Sequence, residues 1–330
     1  MDGKCKTDTI FIPSNAWTLG QLKHRDISCA WMCNHILQTP VADISFLGVP
    51  EDFFVNYRPG ARFAPDKIRT ALASNTTFVM ARNVCLDNLS FFDYGDIFLN
   101  NTVDDIFFKL EDVVSKLDSR ICSIVLGGDH YITGPLIKGY AKSVGSNIGL
   151  VSIDAHCDSR PPVLGKEHSG NWMRPILDGI YPCIEANNIA IVGLSSGLYS
   201  PEYFEEFERL GALTMTVSDA RHFHRNNCMI EKILYQLKNV DKIYITLDID
   251  AVDQSQAPGT SAPNPNGLSA DIIFDLLFEL GKTGKIAFFD ITEVNPLVDI
   301  NDMTSRLASE FILHLLAGIS VSASMRDSHV

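Results

Sequence analysis

The sequence predicts an α/β fold in which three layers, helices, a sheet and helices, are built around a mostly parallel central sheet. The first observation is a set of short, strongly apolar segments, which are typical of strands buried on both faces: Ile121–Leu126, Ile148–Ile153, Ile243–Leu247 and Ile286–Phe289. The second is that such segments alternate with helical patterns, which favours parallel strands joined by helices. The third is that all four segments end in polar clusters, as expected where strand ends meet at one sheet edge.

The other elements follow from the same patterns in chain order. Residues 1–40 form an N-terminal extension with one helical pattern, Trp17–Gln38, and residues 1–330 are predicted to be one domain because no linker, repeat or low-complexity tract interrupts them. Pro65 suits the first turn of a helix that follows the first strand, and Ser269 is the predicted N-cap of a later one. The predicted strands are Ala42–Val49, Ile189–Val192 and Leu213–Val217. The predicted helices are Val103–Leu117, one beginning at Thr133–Tyr140, Pro201–Leu210, Met229–Leu237, Ser269–Gly281 and Thr304–Leu316.

Composition and charge exclude several classes of protein. The 27 basic and 40 acidic residues give a net charge of −13, which argues against nucleic acid or an anionic membrane as a partner. We find no apolar stretch of the roughly 18 residues that a membrane span needs, and the chain begins without a secretory signal pattern. The eight cysteines contain no CxxC pair, so free thiols in a reducing compartment are expected, with Cys157 in the core. We therefore predict a cytoplasmic protein that acts on a small molecule.

The polar clusters at the strand ends carry carboxylates and imidazoles in a pattern typical of metal ligands. A lone Gly-Gly-Asp-His turn is a weak signal, and a single aspartate at a strand end is usually a cap. Several such clusters together are different, because buried carboxylates repel one another unless cations neutralise them. The candidate ligands are His130, Asp154, His156, Asp158, Asp248 and Asp250. Their oxygen-rich composition with two imidazoles suits a pair of Mn²⁺ or similar ions better than structural zinc or magnesium alone. If the strand continued to Asp158, side-chain alternation would place the aspartates on one face.

Four motifs, GGDH, SIDAHCD, LDIDAVDQSQAPGTSAP and DITEVNP, resemble in order and spacing those of the ureohydrolases, which include arginase, agmatinase, guanidinobutyrase and formimidoylglutamase. RPGARFAPDKIR is similar to an early segment of the same family, and the resemblance covers residues 42–318. It implies an arginase-like fold, a homotrimer or homohexamer and two Mn²⁺ per subunit. One ion would bind His130, Asp154, Asp158 and Asp248, and the other would bind Asp154, His156, Asp248 and Asp250. The resemblance further implies that Asp250 transfers protons and that Glu293 binds the cationic nitrogens of the substrate.

Within this family the chain resembles the formimidoylglutamases most, on the DAHxDxR stretch that ends at Arg160 and on a Ser-Gly loop. Arg160 could bind a substrate carboxylate, or it could be a solvated loop arginine. His168 is a candidate catalytic residue, although it stands one position before the family histidine, and Ser169 and Asn171 are candidate substrate-binding residues. The predicted reaction is hydrolysis of N-formimino-L-glutamate to L-glutamate and formamide, a step of histidine degradation. The alternatives are an agmatinase or guanidinobutyrase that releases urea, and a catalytically silent metal-binding or scaffold relative.

Three further features favour structural explanations or leave them open. Arg58 and Arg62 are expected to pack at the start of a helix rather than to contact substrate. The pair His222 and His224 has ligand-like spacing but no nearby carboxylate cluster, and we interpret it as a surface loop. Trp172 is equally compatible with a pocket wall and with the core.

Overall fold

The computed structural model describes residues 11–17, 32–38, 40–99, 102–144, 147–181, 183–197 and 200–327. The helix predicted for Trp17–Gln38 lies largely outside these residues. Within them the chain forms eleven strands and nine α-helices. Strands and helices alternate from β6 onwards, and this alternation builds the sheet and its two helical layers.

Nine strands form one sheet in the spatial order β1-β5-β2-β6-β11-β10-β7-β8-β9. Every neighbouring pair is parallel except β1 and β5, so the predicted mostly parallel sheet is confirmed. A separate antiparallel pair is formed by β3 and β4. The strands are β1 Phe11–Ile12, β2 Ile44–Gly48, β3 Phe78–Val79, β4 Val84–Cys85, β5 Phe91–Ile97, β6 Cys122–Leu126, β7 Ile148–Ile153, β8 Ile189–Leu194, β9 Leu213–Thr216, β10 Lys242–Asp248 and β11 Ile286–Thr292.

The helices cover both faces of the sheet. They are α1 Ala64–Ala73, α2 Val103–Ser115, α3 Thr133–Val144, α4 Arg174–Leu177, α5 Pro201–Leu210, α6 Val217–Arg225, α7 Met229–Gln236, α8 Ala270–Lys282 and α9 Met303–Asp327. One apolar cluster joins α1, α6, α7, α8 and α9 to one face, and a second joins α2, α3, α4 and α5 to the other. Strands β2, β6, β7, β8 and β11 are buried along their whole length, as the apolar segments predict.

One condition considered for the strand ends is not met, and one expectation about a loop is wrong. Strand β7 ends at Ile153, and Asp158 has a left-handed backbone with φ of 42°, so the strand does not continue through the second motif. His222 and His224 lie on helix α6 rather than on a loop. This helix begins with a capping box, in which the Thr216 hydroxyl accepts the Asp219 N–H and the Asp219 carboxylate accepts the Thr216 N–H. His224 contacts Asp275 at 2.8 Å, which accounts for its position.

The last helix is longer than predicted, and its composition corrects another expectation. Within the described residues, one helix, Met303–Arg326, is long and apolar enough to cross a membrane by length and composition. In the fold, 67% of its most apolar window is buried, and it packs against α1 and α8. Apolar side chains such as Phe311 and Leu315 are fully buried there. The apolar character of this helix is therefore that of a core element.

Candidate metal centre

The polar clusters that follow four strands meet at the carboxyl edge of the sheet. Strands β6, β11, β10 and β7 are direct neighbours in that order. Because all four are parallel, the segments beginning at Gly127, Asp154, Ile249 and Glu293 leave the sheet at the same edge. Residues more than a hundred positions apart in the chain thus come together in one site.

Two groups of side chains in this site could each hold a cation. In the first group, Nδ1 of His130 lies 3.1 Å from Asp154 Oδ2, 3.0 Å from Asp158 Oδ2 and 3.1 Å from Asp248 Oδ2. The second group is Asp154, His156 and Asp250, with His156 Nδ1 3.0 Å from Asp250 Oδ2. Asp154 belongs to both groups. Asp248 lies in the first group, and its bridging role between two ions stays a prediction.

The donor atoms of these groups fit divalent cations. Within each group they lie within 4.8 Å of one another. Nδ1 of His130 and Oδ2 of Asp154 are buried and have no hydrogen-bond partner, whereas buried polar atoms are nearly always hydrogen-bonded. A cation between them would satisfy both atoms. Four carboxylates and two imidazoles form a donor set that suits Mn²⁺.

The electrostatics of the site also favour a bound cation. Burial, together with the charges of Asp250 and Asp154, raises the pKa of Asp248 well above its usual value. Burial alone would lower the pKa of His156, but the carboxylates of Asp250 and Asp154 overcome it and raise that pKa to about 12. Since the folded chain gathers negative charge where water is largely excluded, a bound cation would be strongly favoured.

The hydroxyl group of Thr246 links His130 to Asp290 and orients the imidazole ring. Its Nε2 lies 2.8 Å from Thr246 Oγ1, and the Thr246 hydroxyl in turn donates to Asp290 Oδ1 at 2.5 Å. Because the Thr246 proton goes to Asp290, the Thr246 oxygen accepts from Nε2–H of His130. Nδ1 then carries the lone pair and faces the three carboxylates. The hydroxyls of Tyr244 and Thr133 also donate to Asp290. Our sequence reasoning missed Thr246, although alternation along β10 places it on the same face as Asp248.

Glu293 lies beside the first group of ligands. Its Oε1 accepts the His130 backbone N–H at 3.0 Å, while its Oε2 is buried without a hydrogen-bond partner. Its backbone is left-handed, with φ of 62°. Burial raises the pKa of Glu293 well above the usual value, and the charge of Asp248 adds to this. Its unpartnered Oε2 can accept an N–H group from a cationic ligand, whose positive charge would favour the ionised carboxylate that burial disfavours.

The loop that follows the second motif is held by its own side chains. His168 Nδ1 accepts the Gly170 N–H at 3.1 Å, and its Nε2 lies 3.3 Å from the Pro161 carbonyl. The Asn171 amide accepts the His168 N–H and donates to the Glu167 carboxylate. These contacts give His168 and Asn171 a part in shaping the loop. The predicted catalytic role of His168 stays a prediction, as do the predicted substrate contacts of Ser169 and Asn171.

The three arginines singled out in the sequence occupy different environments. Arg160 is partly exposed, and among the described residues its guanidinium group has no hydrogen-bond or ion-pair partner. Arg58 donates to the carbonyls of Thr260 and Ser261, and Arg62 pairs with the buried Asp52. The guanidinium groups of Arg58 and Arg62 thus contact the protein itself, which agrees with a structural role, and that neither contacts substrate stays a prediction. Arg160 is the one of the three left able to contact a ligand.

The fold and the site define an α/β protein with a candidate metal centre at the carboxyl edge of its sheet. The model of the arginase family matches residues 42–318, and the chain belongs to this family. It is 32% identical over 265 residues to a formimidoylglutamase of Halalkalibacterium halodurans, covering 78% of this chain and 82% of that protein.

Two solved structures share the fold. The formimidoylglutamase of Bacillus subtilis has a TM-score of 0.83 and 28% identity, covering 91% of this chain and 94% of that one. A formiminoglutamase of Trypanosoma cruzi, described with Mn²⁺, has a TM-score of 0.81 and 24% identity, covering 88% of this chain and 99% of that one. The predicted three-layer, arginase-like architecture is thereby confirmed.

Proposed function

We propose that the chain is a manganese-dependent formimidoylglutamase that hydrolyses N-formimino-L-glutamate to L-glutamate and formamide. The observation that carries the proposal is the pair of ligand groups that share Asp154, beside the buried, unpartnered carboxylate oxygen of Glu293. A metal pair and an anionic contact for a cationic nitrogen are what hydrolysis of an amidine needs. The likeness to formimidoylglutamases in sequence and in structure supports this choice of substrate.

The ligands proposed for the first ion are His130, Asp154, Asp158 and Asp248, and those for the second are Asp154, His156, Asp248 and Asp250. When bound, two manganese ions would lower the pKa of a water molecule and supply hydroxide at neutral pH. The protein's own contribution is rigidity, because all of these ligands except the partly exposed His156 are buried, and hydrogen bonds such as Asp250 N–H to Asp248 Oδ1 at 2.9 Å tie them to the sheet edge.

Glu293 would bind and orient the formimino group. The Oε2 atom of Glu293 is free to accept an N–H group from the protonated formimino nitrogens, and the negative charge favours their cationic form. Its other oxygen is fixed by the His130 N–H. The carboxylate therefore cannot rotate freely, and the planar carbon of the substrate would be held in one orientation toward the attacking water.

Asp250 would move the proton. Its Oδ2 lies 3.0 Å from His156 Nδ1, and His156 has 19% of its side chain exposed, so this is the solvent-facing part of the site. In the proposed reaction Asp250 takes a proton from the attacking water. It then gives a proton to the glutamate nitrogen as the bond from that nitrogen to the formimino carbon breaks. As the carbonyl of formamide forms, the hydroxyl proton of the adduct is released and ends on the amine, so the products of the cationic substrate are neutral formamide and glutamate with a protonated amino group.

Arg160 would select the substrate. N-formimino-L-glutamate carries two carboxylates, which a guanidinium group can bind, whereas agmatine carries an additional cation that Arg160 would repel. Replacing Arg160 by alanine should raise KM by ~10–100-fold with a smaller effect on kcat, as expected for lost charged hydrogen bonds. The matched control is Arg120→Ala, because that guanidinium is 88% exposed and pairs with the neighbouring Asp118. An unchanged KM in the Arg160 variant would remove this assignment.

The direct test is a substrate panel assayed with the manganese-loaded protein. We expect formamide and glutamate from N-formimino-L-glutamate, with little urea from agmatine or guanidinobutyrate. Urea without formamide would identify a guanidino hydrolase instead. A protein that binds metal but turns over none of the three substrates would indicate a catalytically silent relative.

We also propose a homotrimer or homohexamer that acts in the cytoplasm in histidine degradation. The family resemblance supports the assembly, and the proposed substrate supports the pathway. A reducing compartment fits the free thiols of Cys85, Cys122, Cys157, Cys183 and Cys228. Light scattering of the purified protein would test the assembly, and a mass of one chain, 36.5 kDa, would contradict it.

A further inference from the structure

Asp158 needs a support that its own strand does not provide. Strand β7 ends five positions earlier, at Ile153, and Asp158 has a left-handed backbone with φ of 42°. A non-glycine residue keeps such a backbone only where its surroundings fix it. Part of the fixing is a hydrogen bond from the Met173 N–H to the Asp158 carbonyl at 3.0 Å. That contact holds the backbone of Asp158 but leaves the carboxylate to be oriented by something else.

The indole group of Trp172 supplies that second contact. Its Nε1–H donates to Asp158 Oδ2 at 3.0 Å, and this is the oxygen that lies 3.0 Å from His130 Nδ1. The ring of Trp172 also packs against the His130 ring, with centroids 5.0 Å apart and an interplanar angle of 43°. One side chain therefore touches both an aspartate and the histidine of the first ligand group.

Trp172 is itself held in place. It is only 1% exposed and belongs to the apolar cluster between the sheet and helices α2 to α5. Its main chain lies close to Gly134, where an added Cβ would be 3.4 Å from the Trp172 carbonyl oxygen. An indole has one polar hydrogen and no acceptor, so its hydrogen bond to Asp158 is the one that it can make. The contact is thus fixed in both distance and direction.

We propose that Trp172 is a positioning residue of the metal centre, which holds the Asp158 carboxylate and the His130 ring in the orientation for cation binding. This inference rests on the proposed function. The indole N–H occupies one lone pair of Asp158 without adding a positive charge, so the carboxylate keeps its full charge for a cation. Outer contacts of this kind typically change metal affinity by ~10–100-fold.

The informative variant is Trp172→Phe, which keeps an aromatic ring beside His130 and removes the N–H donor. The matched control is Trp17→Phe. Trp17 is also buried, and its indole donates to the carboxylate of Asp93, whose side chain is 5% exposed. Asp93 pairs with Arg69 rather than with a candidate metal ligand. Both variants therefore lose one indole-to-carboxylate hydrogen bond, but only the bond lost in Trp172→Phe involves a candidate metal ligand.

Metal binding is measured by titrating Mn²⁺ into metal-free protein and following the free ion by electron paramagnetic resonance. We expect two ions per chain in the unsubstituted protein and in Trp17→Phe. In Trp172→Phe we expect one of the two sites to be weakened by ~10–100-fold. The visible spectrum of the Co²⁺-loaded protein should change in Trp172→Phe only. Melting temperatures of the metal-free proteins distinguish an effect on metal binding from a general loss of stability, because without metal both variants should be destabilised by similar amounts.

The outcomes are distinguishable. If the unsubstituted protein binds fewer than two ions, the proposed function is wrong and the role of Trp172 fails with it. If it binds two ions and Trp172→Phe binds them equally well, only the positioning role is wrong. If Trp172→Phe does not fold, 5-fluorotryptophan labelling of the unsubstituted protein tests the positioning role instead. The ¹⁹F signal of Trp172 should shift when diamagnetic Zn²⁺ binds, and an unshifted signal would overturn the inference.

Discussion

Replacing Thr246 by valine removes one hydroxyl group from strand β10 and leaves the side-chain volume nearly unchanged. Two short hydrogen bonds are lost, the one from His130 Nε2–H at 2.8 Å and the one to Asp290 Oδ1 at 2.5 Å, together with a longer contact of 3.4 Å to the Thr133 hydroxyl. The His130 ring then loses the contact that fixes which nitrogen carries the proton. Because Nδ1 must be unprotonated to bind a cation, the variant should lose metal affinity as well as stability.

The size of the effect follows from these contacts. Leaving a buried group unsatisfied costs ~1–3 kcal/mol, and two such groups give ~2–6 kcal/mol. Asp290 retains donors from Tyr244 and Thr133, so the lower part of that range, ~2–4 kcal/mol, is expected. An unfolding entropy of ~2.1 cal/mol/K per residue over 330 residues converts this to a melting temperature lower by about 3–6 °C. Mn²⁺ affinity should fall by ~10–100-fold.

The assay combines thermal unfolding of the metal-free protein with Mn²⁺ titration. Thr246→Ser is the matched control, since it keeps the hydroxyl group and removes only a methyl group. It should bind Mn²⁺ as the unsubstituted protein does. If Thr246→Val and Thr246→Ser had the same Mn²⁺ affinity, the hydroxyl relay from Asp290 to His130 would not orient the ligand.

Three further predictions concern other parts of the molecule. Asp250→Asn should lower kcat by at least ~100-fold, as loss of a general acid–base group does, with an unchanged circular dichroism spectrum; a kcat within tenfold of the original would contradict the role. Burial and the charge of Arg82 lower the pKa of His314 to about 4, so its stabilising effect is complete above its unfolded pKa of about 6.5 and is lost as pH falls toward 4. The melting temperature of His314→Gln should therefore fall less between these pH values than that of the unsubstituted protein. Equal falls in the two proteins would refute this. Gly60→Ala should destabilise the protein by more than ~1 kcal/mol in urea unfolding, because φ is 148° and the new Cβ would lie 2.0 Å from Asn295 Oδ1. Unchanged stability would show that the loop relaxes freely.

The architecture and the candidate ligands could be predicted because they depend on short-range patterns. Apolar segments such as Ile148–Ile153 identify strands buried on both faces, and parallel strands bring their ends to one edge. That edge is where His130 and Asp154 meet. The helix α6 was missed although Thr216 and Asp219 form a capping box, a signal that the sequence does contain.

Other features depend on contacts between distant residues and could not be predicted in this way. The hydrogen bond from Trp172 to Asp158 spans a loop whose path no periodicity defines. The length of the last helix, to Asp327, was underestimated because its apolar residues are buried on several sides and do not form a single stripe. The part that His168 takes in holding its own loop follows from the capping geometry, which motif comparison alone does not show.

The measurement that tests the metal centre most directly is the manganese content of the folded protein. Purified chain is stripped of metal, reloaded with Mn²⁺, passed through a desalting column and analysed by plasma mass spectrometry, beside Asp154→Ala. Two ions per chain are predicted for the unsubstituted protein, and far fewer for the variant, because Asp154 is the ligand common to both groups. A correctly folded chain that retains no manganese, or an Asp154→Ala variant that retains both ions, would contradict a pair of ions bound at the carboxyl edge of the sheet.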